Sequence, residues 1–247
     1  MSKIMNRLLS ITVPLFALFF CACEITEIHL SGVIEETHLP VGSFSSISVN
    51  SGIEVVFVDS IEEAIISTDK NLSKYVEVKQ VDKGLVVTYP NTIRWNGSCQ
   101  TRVLLPLPSN IEQIYVGNMG SLTSYQLLKS DNLQLSINGA SGASLRIDAK
   151  SAEMFVHNMS VAHLSGSVTA LNANVEGGSE LVASKKDGVY QFVSDNVTGF
   201  VGNGSTMCVH CDGTISCNVS GNSRVFYSGS ADISQSFVDE VSQITQE

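Results

Sequence analysis

The chain has 247 residues, 43% of them hydrophobic and 15% charged, and its 24 acidic against 14 basic side chains give a formal net charge of −10. That apolar content excludes a disordered chain, and the acidic balance lacks the positive stripe that a nucleic-acid backbone demands. All 5 prolines lie at or before Pro108, which excludes proline-rich linker and collagen-like classes.

Lys3 and Arg7 precede a 13-residue apolar stretch from Leu8 to Phe20, the layout of a signal peptide and too short for a permanent membrane span. Residues 1–22 therefore read as an export signal. The run Phe19-Phe20-Cys21-Ala22-Cys23 resembles a bacterial lipobox, in which a small residue precedes the acylated cysteine. Ala22 gives Cys23 that residue, whereas Phe20 before Cys21 does not, so Cys23 is the expected lipid attachment. Ordinary secretion with nearby cleavage is the alternative. Acyl chains bury methylenes at about 0.8 kcal/mol each, so several chains make a stable anchor. The expected location is the outer membrane, lipid-anchored, with either face open. Glu24, Glu27, Glu35 and Glu36 follow, and residues 23–40 read as a flexible acidic tether.

From Phe44 onward the pattern is that of strands. Period-two alternation runs from Phe44 to Val58 and is interrupted at Ser51-Gly52. Tyr75–Val78 and Leu85–Tyr89 flank Asp82-Lys83-Gly84, a hairpin signal, and Thr101–Leu107 ends in Pro106 and Pro108, which suit an edge or a strand end. Only Leu72–Val76 or the Asp59–Ile65 region would hold a short helical turn.

After Pro108 a repeat takes over. Val116-Gly117-Asn118, Ile137-Asn138-Gly139 and Val156-His157-Asn158 set asparagines 20 residues apart, and Val175-Glu176-Gly177 continues the series. Looser copies follow at Val201-Gly202-Asn203 and Val219-Ser220-Gly221-Asn222. Short strands ending in Gly, Asn and Ser corners at steps of 18 to 21 residues stack coil on coil. The expected fold is all-β, a right-handed parallel β-helix or β-solenoid, with the N-terminal strand region continuous with it. Asn and Gly tolerate the left-handed backbone of tight corners, and stacked asparagines are expected to form an amide ladder. Val116, Ile137, Val156 and Val175 are expected to stack in one column. The domain is placed at 41–235, with a C-terminal tail at 236–247.

The Ser51-Gly52-Ile53-Glu54-Val55 stretch, the Asn71-Leu72 segment leading to Gly84-Leu85-Val86-Val87, and the repeated Asn-Gly-Ala-Ser and Ser-Gly-Asn-Ser corners together resemble the putative auto-transporter adhesin, head GIN domain family. The resemblance implies a repetitive, β-helix-like extracytoplasmic lipoprotein with an adhesin role, and it brings no catalytic residues. Glycine is missing at Asn158-Met159-Ser160 and Asp195-Asn196-Val197, so those corners are expected to turn differently.

Beyond the anchor, Cys99, Cys208, Cys211 and Cys217 remain. Export favours disulfides, and Cys208, Cys211 and Cys217 form the candidate cluster; free buried thiols, or metal or redox use of Cys208-Val209-His210-Cys211, are the alternatives. Acids such as Asp148 and Glu153 would have to share a coil face to support sugar chemistry. Arg94 and Trp95 are the candidate ligand contacts, since an exposed indole stacks on a sugar ring and an adjacent arginine helps. No metal or cofactor is expected. The expected function is a non-catalytic, adhesin-like envelope lipoprotein presenting its β-face to a glycan or surface protein, with no nucleic-acid partner. The alternatives are a polysaccharide-active enzyme and a ligand-free structural accessory.

Overall fold

The computed structural model describes residues 25–247; the expected signal peptide and Cys23 lie outside them. The described residues are all-β, their one helical piece being a 3-10 turn at Ser73–Tyr75, inside the expected Leu72–Val76 stretch.

The N-terminal third mixes strand directions. Glu77–Val81 and Gly84–Thr88 form the expected antiparallel hairpin, with Asp82 at φ 52° in its turn. Arg102–Pro106 is no edge: it runs parallel to Glu54–Val58 on one side, while residues 102–104 pair antiparallel with Glu63–Asp69 on the other. The expected tether is corrected over most of its length. Thr26–Ile28 pairs parallel with Ile93–Trp95, and Ile34–Pro40 lies antiparallel along Glu63–Asp69. Glu35 and Glu36 are exposed on that strand, and such a strand has the same composition as a tether.

Beyond Pro108 the strands are long and every main neighbour is parallel. Ser121–Asn138, Gly142–His157 and Val161–Glu176 pair in succession, joined only by residues 139–141 and 158–160. A straight strand of 16 residues would span about 53 Å, and three linking residues reach about 11 Å at most. Parallel neighbours can be linked so briefly only if each strand curls round and closes on itself. The ladder marks the bends, shifting register between Ser124 and Leu127 and skipping Asp131. Phe192–Gly202 and Thr206–Val219 extend the ring. Residues 236–247 are not a tail: Phe237–Val238 and Gln243–Gln246 pair with Asn218–Val219 and Arg224–Tyr227, adding a further round.

Inward-pointing side chains stack in columns. Val49, Val116, Ile137, Val156, Val175, Val201 and Val219 are successive register partners, and all are fully buried. The β-branched column expected from the repeat is therefore present. Every member is β-branched and packs against its neighbours in the column, and truncating one leaves a gap that neither neighbour can fill.

The corners differ from the expectation in their turns and in the side chain that forms the ladder. Two successive residues adopt left-handed φ at 118/119, 139/140, 158/159, 177/178, 203/204 and 221/222. Asn158 and Met159 turn like the rest despite the missing glycine, and Asp195 sits instead beside a register shift between Ser194 and Asn196. The three asparagines do not share a column, because Gly117 aligns with Asn138 and Asn138 with His157. Only the isolated pairs Asn118–Asn50 (3.3 Å) and Asn158–Asn138 (2.7 Å) form. Serine supplies the ladder. The backbone N–H of Ser141 donates to the Ser160 hydroxyl at 3.3 Å, and Ser160 to Ser179, Ser179 to Ser205, Ser205 to Ser223 and Ser223 to Ser242 follow at 3.1 to 3.2 Å. The step from Ser179 to Ser205 is longer because a small hairpin, Lys185–Lys186 with Val189–Tyr190, is inserted there.

Candidate binding face

The residues singled out in the sequence are not drawn into one site. Trp95 is half-buried, its ring 4.9 Å from that of Tyr89 and packed against the core, while Arg94 is exposed. Neighbours on a strand point to opposite faces, so the two do not grip one ligand together.

Cys208, Cys211 and Cys217 are buried, and each is a free thiol. The expected disulfide is not formed. Cys208 and Cys211 are an odd number of residues apart on one strand and face opposite ways: Cys211 stacks inward, its thiol donating to the Asp195 and Thr214 carbonyls at 3.4 and 3.5 Å. Burial pushes all three thiols up, and Cys217 reaches about 12. Among the described residues no group of three or more His, Cys, Asp or Glu side chains is placed to hold a metal ion. Asp148 and Glu153 do not share a face: the ladder skips Lys150 between them, and they align with different columns.

Cys99 lines a hollow of about 430 Å³ with Glu54, Asp69 and Arg102. The Asp69 carboxylate there is already occupied, accepting the N–H groups of Ser31, Gly32 and Asn71. Behind it, the hydroxyls of Thr68, Tyr89 and Thr101 bond one another. Both sets are satisfied internally and read as structural.

A continuous feature lies elsewhere, on the outer surface of the stretches that precede the corners. The residue immediately before each column valine or isoleucine points outward, and its register partners run Ser48, Tyr115, Ser136, Phe155, Asn174, Phe200, Asn218, Phe237. An aromatic ring alternates with a small polar side chain at every step. Strands stand about 4.8 Å apart, so successive rings are spaced by about 9.6 Å.

Two of the rings, those of Tyr115 and Phe200, lie against the sheet. A Cβ added at Gly117 would stand 2.6 Å from the Tyr115 Oη, and one at Gly202 would collide with the Phe200 ring, so glycine two residues on is what lets these rings lie flat. Phe155 instead meets His157 edge-on at 6.1 Å, and His157 Nε2 is 3.2 Å from Asn174 Oδ1.

Beside the aromatic row runs a second outward row: Gln113, Gln134, Glu153, Asn172, Thr198 and Ser216. Gln113 Nε2 donates to Gln134 Oε1 at 2.6 Å. Where this row meets Asn132, Ser151, Ala170 and Asn196, the small Ala170 and Ser151 leave a depression of about 500 Å³. Glu153 is the one carboxylate among its lining residues. The arrangement supplies flat apolar surfaces with amide donors and acceptors on one side, all held on a rigid ladder. Sequence reasoning missed it because single aromatics in the repeat look unrelated until the columns are aligned; the signal was the position just before each column valine.

No helix of the described residues is long and apolar enough to cross a membrane. Among solved structures, the fold is similar to a putative adhesin from Bacteroides fragilis at TM-score 0.74 and 14% identity, covering 89% of this chain and 100% of that one. It is also similar to a putative adhesin from Parabacteroides distasonis at TM-score 0.59 and 12% identity, covering 90% and 98% of the two chains. A putative lipid binding protein from Parabacteroides distasonis aligns at TM-score 0.62 and 13% identity, covering 90% of this chain and 100% of that one. At these identities the likeness shows the fold alone. No curated protein matches the chain. The family model for the putative auto-transporter adhesin, head GIN domain, matches residues 43–231, most of the chain, and the protein belongs to that family.

Proposed function

We propose that this protein is an envelope lipoprotein of adhesin type. Its right-handed parallel β-solenoid, held at the outer membrane by lipid on Cys23, presents its outer face to a glycan or a surface protein without chemistry of its own. The observation that carries this reading is the alternating row from Ser48 to Phe237, an outward-facing surface, half-exposed or exposed throughout, that continues across eight paired strands. Family membership supports the adhesin role. Flat rings over glycines are no requirement of the core, whose columns point the other way.

The test is a binding screen of the full chain in mild detergent, against a glycan array and a panel of envelope and host surface proteins. Retention on at least one class is the expected outcome. A chain that binds neither class, or that depolymerises a polysaccharide catalytically, would overturn the reading.

A further inference from the structure

We infer that the row Tyr115, Phe155, Phe200 and Phe237 binds a neutral, extended polysaccharide lying along the stacking direction, each ring packing on a sugar face while the neighbouring amides take the hydroxyls. This rests on the proposed binding role and names the ligand class.

The period comes first. Rings recur at every second strand, about 9.6 Å apart, with Ser136, Asn174 and Asn218 between them. In an extended polysaccharide whose sugars alternate by a half turn, every second unit turns the same face to one side. A ladder of rings with polar gaps meets such a chain unit by unit: the apolar C–H face of one sugar on a ring, the hydroxyls of the next at the gap.

The ring geometry comes second. Gly117 and Gly202 let Tyr115 and Phe200 lie along the sheet; Tyr115 keeps 37% and Phe237 63% of its surface exposed, while Phe155 and Phe200 are half-buried. A flat, outward ring is the surface that an apolar sugar face needs.

Charge comes third. The stretches 112–118, 132–138, 151–157, 170–176, 196–202, 214–219 and 235–239 contain neither lysine nor arginine, and they carry Glu112, Glu153, Glu176 and Asp239. Uronate, sulfate or phosphate on a ligand would meet no cation and four carboxylates, so an anionic polymer is repelled. A protein partner fits less well, because interface cores are contiguous apolar patches enriched in aromatic residues and arginine, and here polar side chains separate every ring.

The experiment titrates the full chain with oligosaccharides of increasing length from β-1,4-glucan, xylan and mannan, and with polygalacturonate and heparin as anionic probes. Affinity for at least one neutral series should rise with length and change little between low and high salt. Phe155→Ala and Phe200→Ala should each weaken it by about three- to tenfold with circular dichroism and melting unchanged, while Phe155→Tyr restores it. Preference for an anionic probe, or alanine variants that bind as the parent does, overturns the inference and leaves the binding role standing. Retention of a surface protein with no neutral series bound does the same. Absence of binding to glycans and proteins alike removes both.

Discussion

At the scale of single residues, the buried Ser160 accepts the Ser141 N–H through its hydroxyl and donates its own N–H to Ser179. Removing that hydroxyl orphans a buried backbone donor, a loss of about 1–3 kcal/mol. Ser160→Ala should therefore lower the denaturant midpoint clearly, while Ser144→Ala, exposed on the outside, should leave it in place; equal midpoints would show that the ladder is ornamental. The thiols make a second case. Burial holds Cys208, Cys211 and Cys217 above the ordinary thiol range, so alkylation of the native protein near pH 8 should spare all three, and denaturant should release them together. Mass spectrometry reads the difference. The corners were legible in the sequence as corners, because Gly and Asn are tolerant of left-handed φ. Which corner residue turns inward was not. Asn138 and Ser141 occur in the same short motif, and only the register, set by strands a coil away, puts serine in the interior column.

At the scale of strands, the column of Val116, Ile137, Val156 and Val175 was readable because an apolar β-branched residue recurs at a fixed place before each corner, while Val49, Val201 and Val219 join it only through the register. Ile137→Asp places an unpaired charge in that column and should cost several kcal/mol, whereas the same change at exposed Lys150 should cost little; urea melts of the two compare them. The strand Ile34–Pro40 was not readable, since a solvent-facing edge and a tether share their composition, and its partner is 23 to 35 residues away in sequence. Asp69 ties the turn before it. Burial raises the Asp69 carboxyl, but the N–H groups of Ser31, Asn71 and Gly32 and the Ser31 hydroxyl outweigh it and hold it below its usual range. A depressed carboxyl stabilises the fold above its unfolded value, and that contribution disappears as pH falls through the folded value. Asp212, Asp232 and Asp239 are held down in the same direction, chiefly by hydrogen bonds. Urea midpoints should stay level down to the ordinary carboxylate range and drop below it. Asp69→Asn should start lower and lose less on acidification, and a variant that tracks the parent at every pH would remove Asp69 from this account.

At the scale of the molecule, each round of chain touches only the rounds before and after it, so stability is a sum of units and the contacts between neighbours. Position along the stack should then matter as much as the residue replaced. Val175 and Val219 occupy the same column and are equally buried, but Val175 lies between complete rounds, whereas the outer neighbour of Val219 is Val238, a partly exposed residue of a two-residue strand. Truncating either valine to alanine removes the same methyl groups, at about 1 kcal/mol or somewhat more each. At Val175 the gap weakens the contact that couples the two halves, so native-state hydrogen exchange should quicken on both sides of it. At Val219 the last rounds can open alone, so exchange should quicken from Thr206 to Gln246 while the strands from Ser121 to Glu176 keep their protection. Identical exchange maps for the two variants would mean that the stack opens as one cooperative unit. A sum of neighbour terms would then be the wrong description, and a long ligand bound across many rungs would stabilise the whole chain rather than the rungs it covers.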